Sequence, residues 1–526
     1  MLAHTAGIET AATGTRLSKV SDAREAAKSI REMLEARSEW LYVRDGRKAI
    51  SARRDELDFR VAHNALLFYC LSDEGREAWR ICAWARAGEK LLFEARRRAG
   101  RERALLELIP RIPARVLAEE VSATRRARCA QLAQLACARL PGAVIERTSL
   151  SAGAGFNQPG PFARILIKHG QSRIALTGIV ADAEARRADS LLSSTLLWFL
   201  RLRENARAPL NLKLWIAVEK PCVETLRQRA ALLRPDLTSA ISLYELDRDS
   251  GSLTTVPVYE MEELFEARAP RISRYRTETS ETAASITALA PEAIDVVRAR
   301  HGETLRFHGL PFARVRRALG HERVWFGLDA SRRRMLDDDT RQDWEKLLRE
   351  LVEHRHAGSD ARQHALFSRA PEAWLESILR RDITRLDPGL RLAPVHAQFR
   401  AAQTKSATSR PVDLLALRRD GRLVVIELKV SEDREHVLQG ADYWRRVEAY
   451  RRQGAITRAR LFEDAEIADE PPLVYLAAPA LSFHRSLNKL AQTLRPEIEL
   501  YRFDLNHDWR TELRVTRRET LTNSLQ

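Results

Sequence analysis

The chain has 526 residues, 44% of them hydrophobic and 30% charged, which at about 150 residues per domain suggests three or four packed domains and excludes wholesale disorder. No apolar run approaches the roughly 20 residues of a membrane span: the best, Leu191 to Leu202, is interrupted by Ser193, Ser194, Thr195 and Arg201. Lys and Arg total 88 against 72 Asp and Glu, so the net charge of +16 favours polyanions, nucleic acid above all.

In chain order, residues 1–114 carry short alternating apolar runs after an initial helical pattern and read as a β-rich N-terminal module. Residues 115–250 run helix, three strands, helix, strand, helix, strand. Residues 251–366 read as a mostly helical linker region, with a Ser/Thr/Ala-rich connection from Thr277 to Pro291. Residues 367–526 repeat the element order of 115–250. Five cysteines, Cys70, Cys82, Cys129, Cys137 and Cys222, form no CxxC pair. With no secretory signal at the start, the expected compartment is the reducing cytoplasm.

The repeat is visible in the residues. Shifted by 250 positions, Pro161 to Val180 falls ungapped on Pro411 to Val430. Leu233-Arg-Pro echoes Leu494-Arg-Pro, and a helix ending at Pro141 and Gly142 echoes one ending near Pro388 and Gly389.

The chemistry concentrates in the second copy. Two strand-like runs, Val412 to Leu417 and Leu423 to Val430, flank Arg419, Asp420 and Gly421, a three-residue hairpin loop with glycine at its last position. Counting outward from that loop puts Asp413 opposite Glu427, and Lys429 two residues further on the same face. The neighbours Val424, Val425, Ile426 and Leu428 mark a strand covered on both sides, where unpaired charges would cost several kcal/mol each. A divalent cation held by the two carboxylates explains their placement, and a structural ion pair in a sheet is the competing explanation. In the helix that follows, to about Arg452, Gln439 and Tyr443 share a face, with Arg445 and Arg446 close by as candidate nucleic-acid contacts. The helix starting at Pro371 buries Trp374, Leu375, Ile378 and Leu379, and carries Glu376 between members of that stripe. Lys405 and Arg410 lie in a Ser-rich loop beside the cluster, either as phosphate contacts or within a plain connection.

This set, a helix with Glu376, a Pro-Val-Asp413 strand, a Glu427-Leu-Lys429 strand and a helix with Gln439 and Tyr443, resembles the PD-(D/E)XK nuclease superfamily. Within it, the segment from Trp374 to Gly454 is most similar to the NucS-type endonucleases, over about 140 residues of the chain. The resemblance implies an α/β fold (α+β mixed sheets), with a C-terminal restriction-endonuclease-like αβββαβ core and a degenerate copy of it upstream. It implies that Asp413, Glu427 and the backbone carbonyl of Leu428 ligate Mg²⁺ or Mn²⁺ and that Lys429 positions the attacking water. Glu376 becomes an auxiliary acid, and Gln439 and Tyr443 the active-site helix pair. The 350 residues before the domain and the tail from Thr520 to Gln526 depart from the NucS pattern, so mismatch or flap specificity is not carried over.

Hydrolysis of an anionic phosphodiester needs charge neutralisation and an activated water, and hard oxygen ligands suit Mg²⁺ or Mn²⁺. A lysine beside them is a compact charge whose pKa can fall when buried. At the shifted positions the first copy has Ala163, Thr177 and Ile179, with Cys129 for Glu376, and holds no metal cage. The expectation is a metal-dependent endonuclease acting on DNA, in repair or defence, with RNA as a substrate and a homodimer both left open. The alternative is a non-catalytic nucleic-acid-binding protein built on two such folds; a protein-interaction scaffold would lack salt-dependent DNA affinity. Gly153, Gly155 and Gly160 lack the Lys-Ser/Thr of a phosphate loop, and His354, His356 and His364 lack an acid or cysteine cage.

Overall fold

The computed structural model describes residues 8–9, 16–45, 50–72, 75–97, 102–111, 114–153, 159–181, 187–205, 211–266, 272, 279–299, 302–318, 321–329, 332–358, 362, 364–393, 413–463 and 465–522. Helices and strands mix throughout, in four separate sheets. The chain divides into two compact units, Met1–Ala123 and Thr124–Gln526.

The first unit is a nine-stranded antiparallel sheet with one long helix, Ala23–Glu35, laid on it. Asp22 caps that helix by accepting from the backbone N–H groups of Arg24 and Glu25, and Ala23, Ala27, Ile30 and Leu34 form its buried stripe. Phe59, Phe68 and Phe93 pack together beneath it.

The second unit contains two six-stranded sheets with the same strand order and sense. The first is built from α1 (Ala114–Ala138), β1 (Val144–Ala152), β2 (Pro159–His169), β3 (Ser172–Ile179), α2 (Ala188–Glu204), β4 (Asn211–Val218), α3 (Lys220–Ala230), β5 (Ile241–Asp247) and β6 (Ser252–Val256). The other uses α4 (Pro371–Arg381), β7 (Leu390–Leu392), β8 (Leu414–Arg418), β9 (Leu423–Leu428), α5 (His436–Arg452), β10 (Leu473–Pro479), α6 (Leu487–Ala491), β11 (Leu500–Leu505) and β12 (Val515–Thr520). In both, two antiparallel pairings are followed by two parallel ones and a final antiparallel one. The parallel pairings require crossovers, which α2 and α3 supply in the first sheet and α5 and α6 in the second, and so the central strands are covered on both faces. Gly440 allows α5 to lie close on β10: a Cβ there would come within 2.9 Å of Val474 and Leu476.

Residues 251–366 are not a mostly helical linker. They hold a five-stranded antiparallel sheet, Ile294–Ala299, Gly302–Phe307, Leu310–Ala318, His321–Phe326 and Arg334–Met335, beside the helix Arg341–His354. The Ala, Arg and Leu of this region favour helix by propensity. The buried positions Leu305, Phe307, Val315 and Val324 nonetheless alternate with Arg306, Arg314, Arg316 and Arg323 at the period of a strand. The Ser/Thr/Ala-rich stretch, expected as a connection, contains the helix Glu281–Thr287, capped by Ser280.

This small sheet grips α4. His308 stacks on Trp374 at 4.9 Å, and Asp295 accepts from Ser377 and Arg381. Arg355, fully buried, donates to the carbonyls of Phe307, His308, Leu366 and Arg369 and lies 4.7 Å from the Trp374 ring centre. Burial, and secondarily Arg510 and Arg369, lower its pKa to about 9. Replacing Arg355 by leucine leaves four buried carbonyls without donors, and should cost about 2–4 kcal/mol in urea unfolding with an unchanged denaturant slope. A loss under about 0.5 kcal/mol, the size of an ordinary surface substitution, would show that water replaces the guanidinium.

Candidate active site

The hairpin β8–β9 has the register that its spacing predicts. Leu414 pairs with Ile426, the Arg418 N–H bonds to Arg422, and Gly421 takes a positive φ of 84°. Strand periodicity then sorts the side chains. Leu414, Ala416, Val424, Ile426 and Leu428 pack toward α4, whereas Leu415, Leu417, Leu423 and Val425 pack toward Tyr443, Val447 and Tyr450 of α5. Asp413, Glu427 and Lys429 continue the second series.

Glu427 is 1% exposed and Lys429 6%. Lys429 Nζ lies 2.6 Å from Glu427 Oε1 and 3.8 Å from Asp433. The backbone N–H of Leu428 donates to Asp413 Oδ2 at 2.9 Å. The other carboxylate oxygen of Glu427 is sealed from solvent and meets no N–H or hydroxyl donor among the described residues; its polar neighbour is the Asp413 carboxyl. Burial, then the charge of Glu427, holds Asp413 well above the usual carboxylate range. Burial also raises Glu427, against the pull of Lys429. Lys429 departs from the expectation of a lowered pKa. Burial works against its ammonium form, but the contact with Glu427, aided by Glu372 and Asp413, outweighs burial and the pKa rises.

Gln439 and Tyr443, both buried on α5, come to the same side of the sheet. Gln439 donates to Glu435 at 3.2 Å, while its own carbonyl oxygen is buried without a donor among the described residues. Burial, and then the carboxylates of Glu427 and Asp413, raise the pKa of Tyr443 and keep its hydroxyl protonated. Glu376 pairs with Arg380 at 2.7 Å and with Arg306 of the small sheet at 3.6 Å, while its charge still acts on Asp413. Glu372, one turn earlier on α4, is the helix acid whose charge acts on Glu427 and Lys429.

Arg445 and Arg446 are not poised for phosphate. Both bond to the buried Asp442 on the same helix, Arg445 at 2.8 Å, because an uncompensated carboxylate inside the unit would be costly. Lys405 and Arg410 lie outside the described residues.

Sequence reasoning missed His436. Its ring approaches the Glu427 carbonyl at 3.2 Å and stacks on Phe483, and burial together with Lys429 lowers its pKa to about 3. It is therefore neutral at ordinary pH and holds the acidic strand rather than the charge of the cluster. Its spacing of three and seven from Gln439 and Tyr443 is the signal that finds it.

The equivalent place in the first sheet differs from the ungapped alignment. The β2–β3 hairpin turns on two residues, Gly170 and Gln171, against three in β8–β9, so Arg164 rather than Ala163 stands opposite Thr177. Arg164 bonds to Ser194 of α2 at 3.0 Å, Thr177 donates to the Ala163 carbonyl, and Ile179 joins the apolar core. A cation thus occupies the position of Asp413.

A divalent cation fits the second site by its donors. Two hard carboxylates converge, one with an orphaned oxygen, and the Leu428 carbonyl is next along the strand. Among the described residues no group of three or more Asp, Glu, His or Cys is arranged around a metal. That is compatible with Mg²⁺, which is commonly held by one or two carboxylates and completed by water and phosphate.

No protein-family model matches the chain, and no curated protein matches it. Among solved structures, a complex of EndoMS with double-stranded DNA aligns with 40% of this chain and 91% of its own, at 13% identity and a TM-score of 0.16. Among the described residues no helix is long and apolar enough to cross a membrane.

Proposed function

We propose that the protein is an Mg²⁺- or Mn²⁺-dependent endonuclease that hydrolyses phosphodiester bonds in DNA, with its active centre at Asp413, Glu427 and Lys429 on a restriction-endonuclease-like core and a degenerate core upstream. The observation that carries this reading is the buried acid pair: a Glu427 oxygen without a donor, opposite Asp413 and beside the Lys429 ammonium. Two carboxylates buried against one lysine cannot both ionise without leaving negative charge uncompensated, and a cation bound between them would remove that penalty. The net charge of +16 supplies attraction for a polyanion.

Asp413, Glu427 and the Leu428 carbonyl would hold the ion, which supplies charge neutralisation at the phosphate and a lowered pKa for water. The Leu428 N–H fixes Asp413, and the neutral His436 holds the Glu427 main chain. Lys429, 2.6 Å from Glu427, would orient the attacking water and oppose charge developing on the phosphate. Tyr443, protonated, offers a donor to the same face.

Calorimetric titration with Mn²⁺ should show binding to the wild type that is lost in Asp413→Ala and Glu427→Ala. Plasmid cutting should require Mg²⁺ or Mn²⁺ and vanish in both variants, while gel retardation persists and weakens steeply with salt. Retardation without cutting or metal binding would replace the nuclease by a binding module.

A further inference from the structure

The two six-stranded sheets meet across a local two-fold axis. Leu233 and Leu494, each the first residue of a Leu-Arg-Pro, form an antiparallel bridge. Around it the Arg234 N–H bonds to the Thr493 carbonyl at 2.9 Å, and the Arg495 N–H to the Leu232 carbonyl at 3.0 Å. Each bond is the other with the two copies exchanged, which is the signature of an isologous contact, here made within one chain. The matching crossover helices share one apolar core, Leu191, Leu192 and Leu196 of α2 with Val437, Ala441 and Trp444 of α5. Arg229 of α3 bonds to both Asp189 of α2 and Asp442 of α5.

The strands of duplex DNA are themselves related by two-fold axes, so a two-fold protein with a site in each half can address one strand with each. Among the described residues one half carries an acid pair; in the other, Arg164 stands in the place of Asp413, beside the buried Thr177 and Ile179. We propose, on the basis of the nuclease reading above, that the chain is a built-in dimer with one working centre, which nicks one strand of duplex DNA per binding event while the degenerate half seats the opposite strand. The degenerate centre offers a cation for a DNA strand and no acid pair to cut it. The Arg164 guanidinium is anchored to Ser194, and the charges of Arg201 and Arg434 are near enough to reinforce burial in lowering its pKa. Each nick is a hydrolysis: water adds to phosphorus, one P–O ester bond breaks, and the leaving oxygen takes a proton.

The test is a time course on supercoiled plasmid with Mg²⁺ or Mn²⁺, beside a duplex oligonucleotide labelled differently on its two strands. Open circles should accumulate until the supercoiled form is consumed, with linear DNA lagging, and single-turnover reactions should give duplexes cut on one strand only. Linear DNA formed directly, or both strands cut in one turnover, overturns the single-centre proposal and leaves the nuclease reading standing. Cutting confined to single-stranded oligonucleotide also overturns the proposal alone. No cutting of any substrate overturns both.

Discussion

Lys429→Ala should lower the single-turnover rate of metal-dependent cleavage by about two to four orders of magnitude at saturating Mn²⁺, in the range of removing a positioned catalytic group. Nζ lies 2.6 Å from Glu427 and Lys429 is 6% exposed, so the variant removes the neutraliser of a buried acid and, on the proposed function, a cation at the active centre. The two effects separate by measurement. Loss of neutralisation raises the Glu427 pKa further, weakens Mn²⁺ binding and shifts the activity profile toward higher pH; loss of the catalytic cation lowers the plateau rate even with metal bound. Lys429→Arg keeps the charge but not the compact ammonium, and should bind metal better than Lys429→Ala while remaining slow. Wild-type plateau rates in Lys429→Ala would remove this residue from the chemistry.

Asp442→Ala should destabilise the second unit by about 3–5 kcal/mol, the cost of leaving buried charge uncompensated. Asp442 is 1% exposed and receives Arg229 from the first sheet together with Arg445 and Arg446 from its own helix. Burial alone would raise its pKa, but the three guanidiniums outweigh burial and hold the carboxylate far below its ordinary range. The sign of the pH dependence follows: a carboxylate depressed in the folded state stabilises fully above its unfolded pKa of about 3.9, and that stability drains away as pH falls below it. Urea unfolding at pH 7 and pH 3 checks both parts. The wild type should lose more stability between those pH values than Asp442→Ala does, and equal losses would show that the three arginines find other partners.

The site was legible where its geometry is local. A hairpin register depends on loop length and a period of two, so the loop at 419–421 sufficed to bring Asp413, Glu427 and Lys429 to one face. The same reasoning faltered in the first sheet because an ungapped alignment assumes equal loops, and a two-residue turn exchanges Ala163 for Arg164. Arg445 and Arg446 read as nucleic-acid contacts because a helix pattern shows which side chains are neighbours but not what packs against them. Their surroundings come from Asp442 and from Arg229, more than two hundred residues earlier. Glu372 acts on Lys429 from α4, a helix held by the small sheet, and that sheet was itself obscured by helix-favouring composition.

By itself, then, the sequence determined the strand pairing of the acid–acid–lysine hairpin, the repetition of element order and the basic charge, all consequences of short-range spacing and composition. Only the tertiary structure decided that the two halves meet about a two-fold axis at Leu233 and Leu494, that one centre holds carboxylates and the other an arginine, and which charges are consumed inside the seam. Those outcomes rest on contacts between residues far apart in the chain, where packing and desolvation select the partner and no periodicity records the choice.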